Sequence, residues 1–120
     1  MKKILLIEDD SFLNQLYTDL LTKEKYDVTS IVDGNEALKQ ILEHEWDLIL
    51  LDVMLPGMNG FDIYKEVEAK KKKLKSPIIF MTNLDSSDDD KKSLKQATDY
   101  WIKSNMTPPE FIEKVKKTLK

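Results

Sequence analysis

The sequence predicts an α/β fold, a doubly wound parallel sheet of five strands accompanied by five helices. Apolar runs and amphipathic helical patterns alternate five times along the 120 residues, as expected for βα units joined by right-handed crossovers. Two of the runs, Ile4–Ile7 and Leu48–Leu51, are unbroken and end on carboxylates. Short unbroken apolar runs are typical of strands buried on both faces of a parallel sheet. We therefore expect a single domain over residues 1–120, with no output domain.

Each element is placed by its own local pattern. The strands are predicted at 3–7, 27–32, 47–51, 77–81 and 98–102. The first helix buries a face made of Phe12, Leu13, Leu16, Tyr17, Leu20 and Leu21. The second helix runs from about Asn35 to His44, the third from about Gly60 to Lys73, and a short fourth from a Ser86 cap to Gln96. The fifth begins at Thr107, followed by Pro108 at the first helical position and Glu110 at the third.

Composition excludes several classes of function. The chain has no cysteine, and hence no disulfide framework, thiolate metal site or cysteine nucleophile. All 19 basic residues are lysine and the net charge is −3, so the arginine fork that reads bases is missing and no direct nucleic-acid partner is expected. The apolar run after Lys3 has four residues, too few for a signal peptide or a membrane span. We expect a cytoplasmic location without membrane insertion.

The acidic ends of the first and third strands carry the main functional signal. Glu8, Asp9 and Asp10 follow the first strand, and Asp52 follows the third. In open α/β sheets, ligands bind beyond the carboxyl ends of the strands. Carboxylates that converge there repel one another and need a proton or a cation. An all-oxygen acidic site suits Mg²⁺, which predicts a metal-assisted phosphoryl site.

Four motifs at the ends of four strands together resemble a response-regulator receiver domain of the chemotaxis-regulator kind. The motifs are Ile7-Glu8-Asp9-Asp10, the stretch from Leu51 to Gly60, Met81-Thr82, and Asp99-Tyr100-Trp101-Ile102-Lys103. The resemblance covers the whole chain, and its most specific part is the stretch from Leu48 to Gly60. It implies a flavodoxin-like sheet with strand order 2-1-3-4-5 and a role in two-component signalling.

The resemblance also implies a chemistry centred on Asp52. This residue would accept a phosphoryl group from a sensor histidine kinase or a histidine phosphotransfer protein. Mg²⁺ would be held directly by Asp9 and Asp52, through water by Glu8, and by the backbone carbonyl of Met54. Asp10 is expected to begin the first helix instead of binding metal. The chain would be a phosphoacceptor switch, not a turnover enzyme.

The remaining implied roles belong to the last two strands. Lys103 and Thr82 would contact phosphoryl oxygens, and Thr82 with Tyr100 would form the switch that passes the signal to an unidentified downstream protein. Each of these residues also has a structural interpretation. Asp52 could form an Asx turn ahead of Pro56, Lys103 could be an ordinary exposed lysine, and Thr82 and Tyr100 could be strand residues without a switch role. His44 is interpreted as a surface residue.

Three departures from the family pattern leave alternatives open. Ser104 follows Lys103 where the family usually has proline, so a trans peptide bond is expected there. Asn83 stands where a small residue is common, and Gln96 where a glycine is usual. The Ser104 and Asn83 departures keep a second hypothesis open, that of a degenerate receiver that binds a partner regardless of phosphorylation. A flavodoxin-like cofactor binder is the third, although acidic residues after the first strand would repel a cofactor phosphate. An aspartyl phosphatase is a remote variant.

Overall fold

Five parallel strands form one sheet at the centre of the molecule. The computed structural model of the chain describes residues 1–70, 76–83 and 99–120. The strands are β1 (Lys3–Ile7), β2 (Asp27–Ile31), β3 (Leu48–Asp52), β4 (Ile78–Thr82) and β5 (Asp99–Ile102). They are ordered β2-β1-β3-β4-β5, and every neighbouring pair is parallel. The predicted doubly wound, flavodoxin-like fold is confirmed.

Four of the five predicted helices fall within the described residues. They are α1 (Ser11–Lys23), α2 (Gly34–Glu43), α3 (Gly60–Lys70) and the C-terminal helix (Pro108–Thr118). The predicted fourth helix from Ser86 to Gln96, and the predicted end of the third at Lys73, lie outside the described residues. Within residues 1–70, 76–83 and 99–120, none of the helices has the length and apolar composition that crossing a bilayer requires.

Side-chain caps explain where the helices begin. Asp10 accepts a hydrogen bond from the Leu13 amide at 3.0 Å and so starts α1, as predicted. Asp33 caps α2, which therefore begins at Gly34, one residue earlier than predicted. Thr107 and Glu110 form the predicted capping box of the C-terminal helix, with proline at its first position.

The sheet separates two apolar cores. The first lies between the sheet and helices α2 and α3, and the second between the sheet and helices α1 and the C-terminal helix. The fully buried members of the first core include Leu5, Ile41, Ile49, Leu51, Ile63 and Phe80, and those of the second include Ile4, Leu6, Leu21, Leu50, Phe111 and Val115. Strands β1 and β3 contribute side chains to both cores. This is the burial on two faces that their unbroken apolar runs predicted.

Phe12 is the exception among the predicted core residues. Its side chain is 73% exposed, so its assignment to the buried face of the first helix was wrong. Tyr17 and Leu21 are buried, whereas Leu13 and Leu20 pack at the margin of the second core. The first turn of α1 begins at the carboxyl edge of the sheet, beyond the last strand residues. Within the described residues, Phe12 belongs to neither apolar core.

Strand register brings the predicted site residues to one edge. Ile7 pairs with Leu51, Asp52 with Met81, and Thr82 with Ile102. The carboxyl ends of β1, β3, β4 and β5 are therefore level with one another. Within the described residues no peptide bond is cis, so the bond between Lys103 and Ser104 is trans, as predicted.

Candidate functional site

Three carboxylates converge at the carboxyl edge of the sheet. Glu8, Asp9 and Asp52 each offer an oxygen within 4.8 Å of the oxygens offered by the other two. Glu8 is 1% exposed and Asp52 is 5% exposed, while Asp9 is open to solvent. The cluster thus has two buried members beneath one exposed member, as expected where neighbouring central strands end together.

Backbone contacts around Glu8 fix the base of this cluster. The Glu8 amide donates to the Ile31 carbonyl at 3.0 Å, and the Asn14 side chain donates to the Glu8 carbonyl at 2.9 Å. The Asp10 amide donates to a Glu8 carboxylate oxygen at 3.3 Å. Asp10 itself is occupied as the cap of α1. Asn14 could not be identified from the sequence, since nothing in its position signals a contact with the site.

The loop after β3 holds Asp52 against the start of α3. The Met54 amide donates to Asp52 Oδ1 at 3.3 Å, and the Gly60 amide donates to the Val53 carbonyl at 2.9 Å. A Cβ atom on Gly60 would lie 2.5 Å from the Asp52 carbonyl oxygen, closer than any side chain tolerates. Gly57, at φ 82°, supplies the left-handed turn within the loop. These glycines explain physically why the motif from Leu51 to Gly60 needs residues without a side chain.

Lys103 places a buried ammonium between the two buried carboxylates. Its Nζ lies 2.6 Å from Glu8 Oε2 and 3.0 Å from Asp52 Oδ2, and the lysine side chain is 5% exposed. A short 3-10 turn over Lys103–Asn105 follows β5, and the Met106 amide donates to the Lys103 carbonyl at 3.3 Å. Lys103 therefore reaches the site although Ser104, and not proline, follows it. Its contact with Asp52 agrees with the predicted position, whereas its shorter contact with Glu8 was not foreseen.

Two buried carboxylates share one ammonium at this site, and the pKa values of all three groups are shifted. Burial raises the pKa of Glu8 from its ordinary 4.5 to about 7, although the hydrogen bond from Lys103 acts in the opposite direction. Burial likewise raises the pKa of Asp52, opposed by the charge of Lys103. Burial alone would lower the pKa of Lys103, but its hydrogen bond to Glu8 and the charge of Asp52 raise it. Negative charge is in excess at this site.

The remaining predicted residues surround this centre at different depths. Thr82 is buried at the end of β4, opposite Ile102 in the register. Tyr100 is half-buried, pairs with Phe80 and packs at the margin of the first core. The Met54 side chain is 76% exposed beside Asp52, and the role of its carbonyl as a metal ligand stays a prediction. His44 is exposed, as predicted.

The donor set fits a hard divalent cation. Three carboxylates meet, with neither imidazole nor thiolate among the ligand atoms of the group, and such oxygen donors favour Mg²⁺ over softer metals. With the ammonium of Lys103 included, the formal charge of the site is −2, which one divalent ion would neutralise. Glu8, Asp9 and Asp52 are the residues that would hold it.

Comparisons with known proteins agree with this geometry. The family model "Response regulator receiver domain" matches residues 4–116. The response regulator TrrA of Thermotoga maritima, solved in complex with Mg²⁺ and BeF, is 34% identical, with a TM-score of 0.83 over 99% of this chain and 100% of that chain. The BeF3-activated receiver domain of Klebsiella pneumoniae RstA is 31% identical, with a TM-score of 0.83 over 98% of each chain. Vibrio cholerae CheY4 is 28% identical, with a TM-score of 0.86 over 99% of each chain.

Proposed function

The chain belongs to the response-regulator receiver family, and we propose that it is a phosphorylatable switch of a two-component or phosphorelay system. Asp52 is the proposed phosphoacceptor. The observation that carries this proposal is the position of its carboxylate, buried at the end of a central strand and 3.0 Å from the Lys103 ammonium. A carboxylate becomes an effective nucleophile toward phosphorus when neighbouring cations offset the repulsion between the two anions.

The proposed reaction is a transfer from a phosphohistidine. A carboxylate oxygen of Asp52 forms a bond to phosphorus as the bond from phosphorus to the histidine nitrogen breaks, and the imidazole leaves with the electron pair. The product is an acyl phosphate on Asp52. Mg²⁺, when bound by Glu8, Asp9 and Asp52, would supply charge neutralisation and orientation of phosphoryl oxygens.

The protein's own cation and hydroxyl have complementary roles. Lys103 reaches Asp52 from β5 and is placed to contact a phosphoryl oxygen as a point charge. Thr82, buried at the end of β4, is the proposed hydroxyl donor to another phosphoryl oxygen. Its movement would be transmitted to Tyr100 on the neighbouring strand, which shifts the population of two conformations of the partner-binding face. The chain's chemistry would be limited to its own phosphorylation and dephosphorylation.

The family also defines the classes of partner. A sensor histidine kinase or a histidine phosphotransfer protein would deliver the phosphoryl group at the acidic edge of the sheet. A downstream protein would bind the altered face around Tyr100. TrrA and RstA, which share 34% and 31% of their residues with this chain, were both solved with beryllofluoride, and this supports the proposal that the site accepts a phosphoryl group.

Intact mass after incubation with Mg²⁺ and a small acyl phosphate tests the proposal. Wild type should gain the mass of one phosphoryl group, whereas Asp52→Asn should gain none. Asp19→Asn, which changes an exposed carboxylate on α1, is the matched control and should be labelled like wild type. Equal labelling of wild type and Asp52→Asn would refute the assignment. A wild type that is never labelled would favour the degenerate receiver, an interaction module that works without phosphorylation.

A further inference from the structure

We propose that Gly34, the first residue of α2, is a positioning residue: it sets the position of the loop after Asp52 (residues 53–59) and thereby the affinity of the site for Mg²⁺. This inference rests on the proposed metal site and extends it to a helix that holds none of the proposed ligands. The loop carries the Met54 carbonyl, a predicted metal ligand, and the Met54 amide, which donates to Asp52 Oδ1 at 3.3 Å.

A hydrogen bond joins the start of α2 to this loop. The N–H group of the first residue of a helix has no acceptor within that helix. The Asp33 cap accepts from the amides of Asn35 and Glu36, at 3.0 and 3.1 Å, which leaves the Gly34 amide for another acceptor. That amide donates to the Pro56 carbonyl at 3.1 Å. The backbone of the helix start is therefore bonded directly to the loop.

Close packing leaves no room for a side chain at Gly34. A Cβ atom there would overlap the Met58 carbonyl oxygen and lie 2.9 Å from the Met58 amide nitrogen. Both are backbone atoms, so the rotation of a side chain could not relieve the overlap. In the opposite direction, a Cβ atom on Gly57 would lie 2.9 Å from Asp33 Oδ1 and 2.8 Å from Asn35 Nδ2. The loop and the helix start thus meet through a glycine on each side.

The helix is the fixed partner in this contact, and the loop is the part that yields. Ala37 and Ile41, one and two turns further along α2, are fully buried in the first core. In the loop, by contrast, the Met54 side chain is 76% exposed. A methyl group on Gly34 would therefore displace the loop, together with the Met54 carbonyl and the amide bonded to Asp52. Groups that support metal ligands without touching the metal have large effects on its affinity.

Mg²⁺ affinity, measured by isothermal titration calorimetry on the full chain, gives the first test. Gly34→Ala should bind Mg²⁺ about tenfold or more weakly than wild type. Val115→Ala is the control, because Val115 is fully buried in the second core, on the other side of the sheet. It also destabilises the fold, yet it should leave the affinity within about twofold of wild type, since distant sites act independently.

Hydrogen exchange of ¹⁵N-labelled wild type gives the second test, which applies even if Gly34→Ala does not fold. At the far end of the loop, the Gly60 amide donates to the Val53 carbonyl at 2.9 Å. In the metal-free protein, the Gly34 and Gly60 amides should show the same protection and the same dependence on urea, because both are released when the loop detaches. Saturating Mg²⁺ should slow both amides by the same factor, since the metal binds only while the loop is in place.

The outcomes separate this inference from the proposed function. If Gly34→Ala binds Mg²⁺ like wild type, if Val115→Ala weakens binding equally, or if Mg²⁺ protects Gly60 alone, the positioning role is refuted and the metal site stands. If wild type does not bind Mg²⁺, the proposed metal site fails and this inference fails with it. Weaker binding by Gly34→Ala alone, with joint protection of the two amides, would establish Gly34 as the positioning residue.

Discussion

In the metal-free protein, replacing Glu8 with glutamine should remove much of the stability loss that wild type suffers as the pH rises. Glu8 is 1% exposed, and burial raises its pKa from 4.5 to about 7. The folded chain therefore holds this proton more tightly than the unfolded chain. Because the folded-state pKa is the higher one, the stabilisation is complete below about pH 4.5 and is lost as the pH rises through about 7.

The size of the effect follows from the same pKa difference. One pKa unit corresponds to about 1.4 kcal/mol, so ionising Glu8 in the fold costs about 3 kcal/mol of unfolding free energy. Burial also raises the pKa of Asp52, which acts in the same direction and remains in the variant. The glutamine variant should therefore keep a weaker dependence on pH, not lose it entirely.

Urea denaturation in EDTA, from about pH 5 to about pH 8, measures this difference. Glu113→Gln, which alters an exposed carboxylate of the C-terminal helix, is the control and should follow wild type. Adding Mg²⁺ should flatten the wild-type curve, because the metal binds the ionised carboxylates of the folded state only. Parallel curves for wild type and Glu8→Gln in EDTA would show that ionisation of Glu8 does not determine how the unfolding free energy depends on pH.

Two further predictions concern the phosphorylated state. Loss of phosphate from Asp52 should be slow, since Met54 and Leu84, two residues beyond Asp52 and Thr82, cannot orient a water molecule by hydrogen bonding. Combining Met54→Asn with Leu84→Glu should speed dephosphorylation followed by intact mass, and an unchanged rate, or loss from wild type within seconds, would contradict this explanation. Addition of beryllofluoride with Mg²⁺ should move NMR signals from the Thr82 loop through to Tyr100; changes restricted to the acidic loops would argue against a working switch.

The fold and the convergence of the carboxylates could be predicted from the sequence because both follow from local patterns. Unbroken apolar runs identified β1 and β3, and the caps at Asp10 and Thr107 placed two helix starts. Parallel strands end at the same edge, so placing the strands also placed Glu8 and Asp52 near each other. Phe12 was misassigned because helical periodicity takes no account of where the sheet ends.

The internal arrangement of the site could not be predicted in the same way. Glu8 and Lys103 are separated by 95 positions, and their bond depends on side-chain reach across β3 and β4. Sequence indicated that the carboxylates need a cation, but not that the protein supplies one itself. The close approach of Gly60 to the Asp52 carbonyl, where a Cβ atom would lie 2.5 Å from the oxygen, likewise depends on how the loop folds back and not on a local sequence pattern. The segment 84–98, with Leu84, Ser86 and Gln96, lies outside the described residues.

The site residues follow strands that differ in how many neighbouring strands they pair with. β1 and β3, which lead into Glu8 and Asp52, each pair with strands on both sides, whereas β5 pairs with β4 alone within the described residues. Local unfolding begins where few backbone bonds and few neighbours must be given up. An excursion in which β5 detaches would carry Lys103 away and leave both buried carboxylates without their ammonium. Within the described residues, the site thus joins carboxylates on doubly paired strands to an ammonium that follows a singly paired strand.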